Sequence, residues 1–470
     1  MTFPLVPWPT SVVLLESAGA PADAPVEVVT EQGHGEEGYA LRIEAGAVVI
    51  RASSPAGVFY ARQTLAQLAG PDELPAVDIR DRPRFAHRGM MLDVARHFHP
   101  VSTVEAVIDR AASLKLNVLH LHLTDDHGWR LELRSHPELA QSASGTSVGG
   151  DPGGHYSIDD YMHIVEYAAA RHMTVVPEFD LPGHTHAIGL SHPELLAEPV
   201  ITDHIREITE TYGGGGLPEQ GVPYTALAVG FSSFQADAEG LETFLREVLG
   251  EIAALTPGPY LHIGGDEALG TDPADYRRMV ELATRIVAEA DKTPVTWHEA
   301  GVADLPPGTV GQYWGFRRPS LEGGEEGGED ARRARSFAER GGRVVLSPAD
   351  AVYLDMKHEA DSRLGLVWAD GPTSLARSYD WDPATVVPGL AEEAILGVEA
   401  CMWTETIRTP ADVDEMMFPR VASAAEAAWS ERAGSPERTW ESFRERVAGL
   451  GDRWEAAGIG FHRSAGVDWR

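Results

Sequence analysis

At 470 residues the chain exceeds one ordinary core, so two domains, or one large barrel with an appendage, are expected. Its 38 Lys+Arg against 72 Asp+Glu give a formal charge of -34, which disfavours nucleic acid and anionic membrane as partners. A single cysteine, Cys401, excludes an internal disulfide and a cysteine-based zinc site.

The opening MTFPLVPWPT lacks the basic start and apolar run of a signal peptide, and no stretch approaches the roughly 20 apolar residues of a bilayer span. As written the chain reads as cytoplasmic, unless a mis-assigned start hides an export signal. Residues 1–83 hold the short apolar segments VEVVT and YALRIEAGAVVIRA and one helical stretch, GVFYARQTLAQLAG, where Val58, Ala61, Leu65 and Leu68 recur at helical spacing. A small α+β domain is expected there. The charged linker DIRDRPRF follows, and from about Phe85 short apolar strands alternate with amphipathic helices. The strand candidates are RGMMLDV, NVLHLHL, TVVPEFD, YLHIGGD, PVTWHE, VGQYWG, RVVLSP and GVEACMW. Ser102 with Glu105 predicts a capping box, and Asp272 before Pro273 predicts a helix start. Tyr161, Ile164, Val165, Ala168 and Ala169 make one apolar stripe; Leu241, Phe244, Leu245, Val248, Leu249 and Ile252 make another. Eight strands spread over roughly 330 residues predict an α/β fold, a closed (β/α)8 TIM barrel over residues 84–470. GGEEGGED, Gly323 to Asp330, is expected to be a solvated loop.

In such a barrel the loops after the strands build the active site, and polar and aromatic residues do crowd there: LTDDHGW, EFDLPGHTH, GGDE, TWHEA, QYWG and WTET. In YLHIGGDE, Gly264 and Gly265 let the backbone turn where the strand leaves the barrel, so Asp266 and Glu267 can both face its mouth. Repulsion between neighbouring carboxylates raises the pKa of one and leaves the other ionised, as a general acid and a charged helper require. The plain alternative is an acidic helix start capped by Asp266. Trp297, Trp314, Trp368 and Trp403 lie at or just past strand ends, either as barrel core or as apolar walls for a sugar. Acids that straddle a glycosidic bond stand at least ~5 Å apart, a poor fit to sequence neighbours. Either a second acid comes from another strand or the substrate supplies its own nucleophile. Arg88 serves as a hydroxyl grip or as a salt bridge to the linker, and Asp180 with His184 forms a carboxylate–imidazole pair that is structural or tunes the acid. Asp125 and Asp126 read as turn caps. His120 and His122 in HLHL share a strand face, which suits a metal site, although packed and hydrogen-bonded histidines are the commoner case.

Together and in this order, HRGMMLDVARHF, LHLHLTDDHGW, PEFDLPGHT, YLHIGGDE, WHE, QYWG, YLDMK, YDWDP and VEACMWTET resemble glycoside hydrolase family 20, the exo-acting β-N-acetylhexosaminidases, from about Phe85 onward. The resemblance implies that Glu267 is the general acid/base and that Asp266 orients the substrate's 2-acetamido group as it attacks C1 to form an oxazolinium ion. Tyr353 would hold the acetamido oxygen, and Trp297, Trp314 and Trp403 would wall the pocket. Arg88, Asp355 and Glu405 would bind hydroxyls, Asp180 and His184 would support the acid, and Trp368 would lie toward the leaving group. It implies no metal or cofactor, and a small-molecule glycoside or oligosaccharide as partner. Residues 1–83 resemble a shortened form of the family's small α+β domain, and His127 stands where the family's DDQGW pattern has Gln.

Overall fold

The computed structural model describes residues 3–70, 72–318 and 327–469. Its first element is a five-stranded sheet of Ser11–Leu14 (β1), Val26–Thr30 (β2), Tyr39–Glu44 (β3), Ala47–Ala52 (β4) and Val77–Asp81 (β5), in the order β1-β5-β3-β4-β2. Alternation drives it: Tyr39, Leu41 and Ile43 on β3 and Val48, Ile50 and Ala52 on β4 are buried, while the residues between them are not. Helix α1, Pro55–Leu68, covers this face; Ser54 caps it by accepting from the Gly57 N–H. The buried stripe of α1 is Tyr60, Ala61, Thr64 and Leu68, whereas Val58 and Leu65 are only partly covered.

All eight expected strands form the barrel: His87–Asp93 (β6), Val118–His122 (β7), Thr174–Glu178 (β8), Tyr260–His262 (β9), Thr293–Trp297 (β10), Val310–Tyr313 (β11), Val344–Leu346 (β12) and Ile395–Met402 (β13). Every neighbouring pair is parallel, and the barrel closes where Gly397 to Met402 pair with His87 to Leu92. Between β6 and β7 lies α2, Val101–Ser113. It starts ahead of the expected capping box: Pro100 is the N-cap, its carbonyl accepting from the Thr103 N–H at 2.8 Å, and Ser102 already sits in the first turn. Glu105 instead meets His163 at 2.7 Å. Before β8 come α3 (Pro137–Ala143) and α4 (Ile158–Ala169), the latter with a true capping box of Ser157 and Asp160. The long β8–β9 connection carries α5 (Asp203–Tyr212), with its own small core of Ile205, Tyr224, Ala226, Ala228 and Phe231, and then α6 (Leu241–Leu255), whose predicted stripe is buried. Helix α7, Pro273–Glu289, begins at the Asp272 cap as expected. Of the predicted GGEEGGED loop, residues 323–326 lie outside the described residues, and Gly328–Glu339 form α8. Among the described residues no helix is long and apolar enough to cross a membrane.

The small sheet packs against the end of the barrel where strands begin. Arg88, the second residue of β6, is fully buried there: its guanidinium meets Glu37 at 2.7 and 2.9 Å and the Tyr60 hydroxyl at 3.2 Å, and lies over the Trp429 ring. This corrects the expectation that Arg88 grips a substrate, because it sits at the strand end opposite the barrel mouth. Breaking a buried pair leaves a lone charge, so Arg88→Met should cost about 3–5 kcal/mol. A urea unfolding curve with an unchanged midpoint would contradict this role.

Candidate active site

The turn after β9 explains the two glycines. Gly264 has φ 66° and Gly265 φ 103°, and a Cβ on Gly264 would lie 1.6 Å from Asp180 Oδ1. Only glycine allows that approach. Asp180 Oδ1 accepts from the Gly265 N–H at 3.2 Å, and the Gly264 carbonyl accepts from the Trp297 N–H at 2.8 Å. The turn is thereby fixed to its neighbouring strands. Glu267 also has positive φ, 44°, a strained backbone for a side-chain-bearing residue. Asp266 caps no helix, since α7 begins only at Pro273 with Asp272 as its cap.

Both acids face a cavity of about 350 Å³ at the barrel mouth. They converge on His184, whose Nε2 lies 3.8 Å from Asp266 Oδ2 and 3.5 Å from Glu267 Oε2. Its Nδ1 is 3.2 Å from Asp125 Oδ2. The nearest carboxylate behind the imidazole is therefore Asp125, read from the sequence only as a turn cap, while Asp180 completes the cluster within 4.8 Å. Burial works against a charge on His184, yet Asp125, Asp180 and Asp266 hold its pKa well above the ordinary value. Burial above all, opposed by His184 and helped by Glu267 and Glu299, pushes Asp266 up to about 7. For Asp266 desolvation outweighs repulsion as the cause.

Behind this cluster a line of carboxylates and imidazoles runs along the barrel axis. His87 Nε2 meets Glu399 at 2.8 Å, Glu399 meets His120 Nδ1 at 2.8 Å, and His120 Nε2 meets Glu178 at 3.0 Å. Glu178 meets His122 Nδ1 at 2.6 Å, and His122 Nε2 meets Asp125 at 2.8 Å. Although burial alone would lower them, Glu399 and Glu178 raise His120 to about 10, and Glu178 with Asp125 raises His122 to about 9. HLHL thus supplies buried, ion-paired imidazoles with both ring nitrogens engaged. Glu178 and Glu399 were missed in the sequence, where their signal is a lone carboxylate inside an apolar strand.

The aromatic residues gather on one side. Trp314, Tyr353, Trp368 and Trp403 line the cavity; Trp297 is fully buried behind Trp403, ring centres 5.9 Å apart, and donates its indole N–H to Glu178 Oε1 at 3.0 Å. Trp368 is 44% exposed at the rim, its indole N–H 3.3 Å from Asp355 Oδ2. The Trp314 indole donates to Glu299 at 3.0 Å. Asp355 and Glu405 face the cavity, both raised in pKa first by burial, with Glu405 adding its repulsion to Asp355. Among the described residues Asp266 Oδ1 and Asp355 Oδ1 are buried with no hydrogen-bond partner, which leaves two carboxyl oxygens for a ligand to satisfy. The arginine at the mouth is Arg96, just past β6: its guanidinium lies 2.9 Å from Asp125 Oδ2 and 4.7 Å over the Trp403 ring. The remaining wall, Leu366 and then His204, Ile208 and Tyr212 of α5 with Leu227 to Val229, had no role in the sequence reading. His127 fastens this insertion to the barrel, its Nε2 2.7 Å from the Ala226 carbonyl.

Residues 85–432 match the glycosyl hydrolase family 20 catalytic domain, and residues 9–82 match the family's domain 2. The chain belongs to glycoside hydrolase family 20. A β-N-acetylhexosaminidase of Cellulomonas fimi is 40% identical over 459 residues, covering 96% of this chain and 85% of that one. A solved family 20 β-N-acetylglucosaminidase is 51% identical with both chains fully covered and a TM-score of 0.93. The Streptomyces plicatus N-acetyl-β-hexosaminidase in complex with Thio-NAglucal is 38% identical over 100% of this chain and 98% of that one, with a TM-score of 0.88.

Two outcomes follow for this family 20 hydrolase. Arg96→Lys keeps a charge but loses the planar fork, so kcat/KM should fall on the order of tenfold or more, whereas folded Arg88→Met should keep its KM. Equal kinetic effects of the two would contradict the placement. Asp266 has a folded-state pKa of about 7 against an ordinary 3.8, so the native state retains a proton between those values and stability falls as pH rises through that window. Asp266→Asn should therefore melt above the parent at about pH 8 and close to it at about pH 5, as read by scanning fluorimetry.

Proposed function

We propose that this hydrolase is an exo-acting, retaining β-N-acetylhexosaminidase that removes terminal non-reducing β-linked GlcNAc or GalNAc, with the substrate's own acetamido oxygen as nucleophile. The observation that carries the reading is the convergence of Asp266 and Glu267 on one imidazole nitrogen, at 3.8 and 3.5 Å, beside a cavity walled by Trp314, Tyr353 and Trp403. Two acids so placed cannot straddle a sugar ring in the manner of a nucleophile and an opposed acid. They suit a division in which one addresses the leaving oxygen and the other the acetamido group.

Glu267, the more open of the two with a side chain 35% exposed, gives its proton to the glycosidic oxygen as the C1–O bond breaks. The acetamido oxygen forms the new bond to C1 from the opposite face. Asp266 accepts the acetamido N–H and, in the form deprotonated around and above its raised pKa of about 7, faces the positive charge that spreads over the oxazolinium ring. Tyr353, whose hydroxyl burial keeps protonated, donates to the acetamido oxygen. Water then adds to C1, its proton passing to Glu267, as the C1–O bond of the oxazolinium breaks and the acetamido group is restored; two inversions leave the β configuration. Asp355, Glu405 and Arg96 supply acceptors and a donor for the sugar hydroxyls. Residues 1–83 and 84–470 are read as the two domains, which the family matches at 9–82 and 85–432 support.

Glu267→Gln should lower kcat about 10²–10⁴-fold on glycosides with poor leaving groups and less on activated aryl glycosides. Asp266→Asn should cost about 10²–10³ in kcat on both. Chromogenic β-GlcNAc glycosides of graded leaving-group acidity measure this, and ordinary turnover by either variant would sink the assignment.

A further inference from the structure

Away from the cavity, three polar side chains meet over the ring of Phe244 on α6. His136 precedes α3, Glu138 stands in the first turn of that helix, and His192 follows the helical turn His186–Leu190. Their ring centres lie 4.9 Å (His136) and 5.1 Å (His192) from Phe244 and 5.2 Å from each other. Glu138 Oε1 is 3.2 Å from His136 Nδ1 and 3.1 Å from His192 Nε2. None of the three lines the cavity.

Each ring has an acceptor of its own on the far side. His136 Nε2 is 3.0 Å from Glu247 Oε2. Nδ1 faces a carboxylate as well, so the hydrogen of a neutral ring has an acceptor on either side; placed on Nε2 and given to Glu247, it leaves the Nδ1 lone pair toward Glu138. His192 Nδ1 is 2.9 Å from Ser191 Oγ, whose own hydrogen is directed to the Ile188 carbonyl at 3.2 Å. With Nδ1 donating to that hydroxyl, Nε2 turns its lone pair to the same point. In these tautomers two lone pairs and a carboxylate oxygen converge within 4.8 Å of one another, the set that a cation completes. Histidines that ligate a metal commonly give their other N–H to a carboxylate or another acceptor, as both rings do here.

We propose that His136, Glu138 and His192 form a surface site for a divalent cation of the zinc class. Two imidazoles and one carboxylate are a zinc set, and ligands bound to one tetrahedral zinc at ~2.0–2.1 Å stand about 3.3 Å from each other, close to the spacings found. Magnesium and calcium prefer all-oxygen sets. The side chains of His136 and His192 are 14% and 12% exposed and that of Glu138 44%, so a cation enters from solvent and water takes the fourth position. The site ties together the loops after β7 and β8, and through Glu247 and Phe244 it holds them on α6. Its role is structural and independent of the proposed chemistry.

The test uses the untagged full chain, stripped with EDTA and dialysed against micromolar zinc chloride, with bound metal measured by mass spectrometry. The parent should take up about one zinc with a raised melting temperature, the paired substitution His136→Asn/His192→Asn should lose it, and Glu138→Gln should bind at least tenfold more weakly. Glycosidase activity should be unchanged by EDTA and by all three substitutions. No uptake by the parent, or equal uptake by the paired variant, overturns the proposal. If that variant fails to fold, anomalous scattering at the zinc edge from soaked parent crystals decides. A peak between His136 Nδ1 and His192 Nε2 supports the site, and a peak only at His184, Asp266 and Glu267 overturns it.

Discussion

The acid pair is held in place by a buried row of opposite charges. A barrel of this kind is ordinarily filled by branched aliphatic side chains, whereas here Glu399, His120, Glu178, His122, Asp125 and His184 occupy the axis. An unpaired ion in such a place costs several kcal/mol, so each member is tolerable only while its neighbours stay within hydrogen-bond reach. The strand register provides that reach: Glu178 stands opposite His122, and Glu399 stands opposite Gly89, where a Cβ would come within 2.2 Å of the carboxylate. Sliding any of these strands by one residue would leave a charge alone. Strand pairing, axial charges and the position of His184 are thus one constraint, and the acids inherit it.

The mouth of the barrel carries the features that oppose folding. Glu267 has a left-handed backbone, Asp266 is buried close to its neighbour, and Asp355 turns an unpartnered oxygen toward the cavity. Each is a local cost that a packed barrel and an ion-paired axis can carry. Each is also a contact that a ligand can complete, which is how binding energy is directed to the reacting centre.

What could be read in the sequence follows the range of the interactions. The eight strands were legible because each is a short apolar run ended by polar residues, and Asp266 and Glu267 because the glycines before them mark a turn at a strand end. Arg88 misled because HRGMMLDVARHF holds two arginines eight residues apart, a span of up to about 26 Å in extended chain, and motif similarity does not say which end of the strand each occupies. The Ser102–Glu105 pattern was local too, but Pro100 began the helix before it. Asp125 as the partner of His184, Glu178 and Glu399 on the axis, and α5 as a wall all rest on contacts between distant segments, which no local pattern encodes.

The filled axis also shapes traffic through the molecule. Because ion-paired side chains and Trp297 occupy the barrel below the acids, the hollow is a blind socket and cannot pass a polymer from one face to the other. A saccharide can enter only by its free tip, and both fragments must leave by the opening through which the chain arrived. A longer saccharide cut here would have to back out and re-seat before the next cut, one unit for each visit.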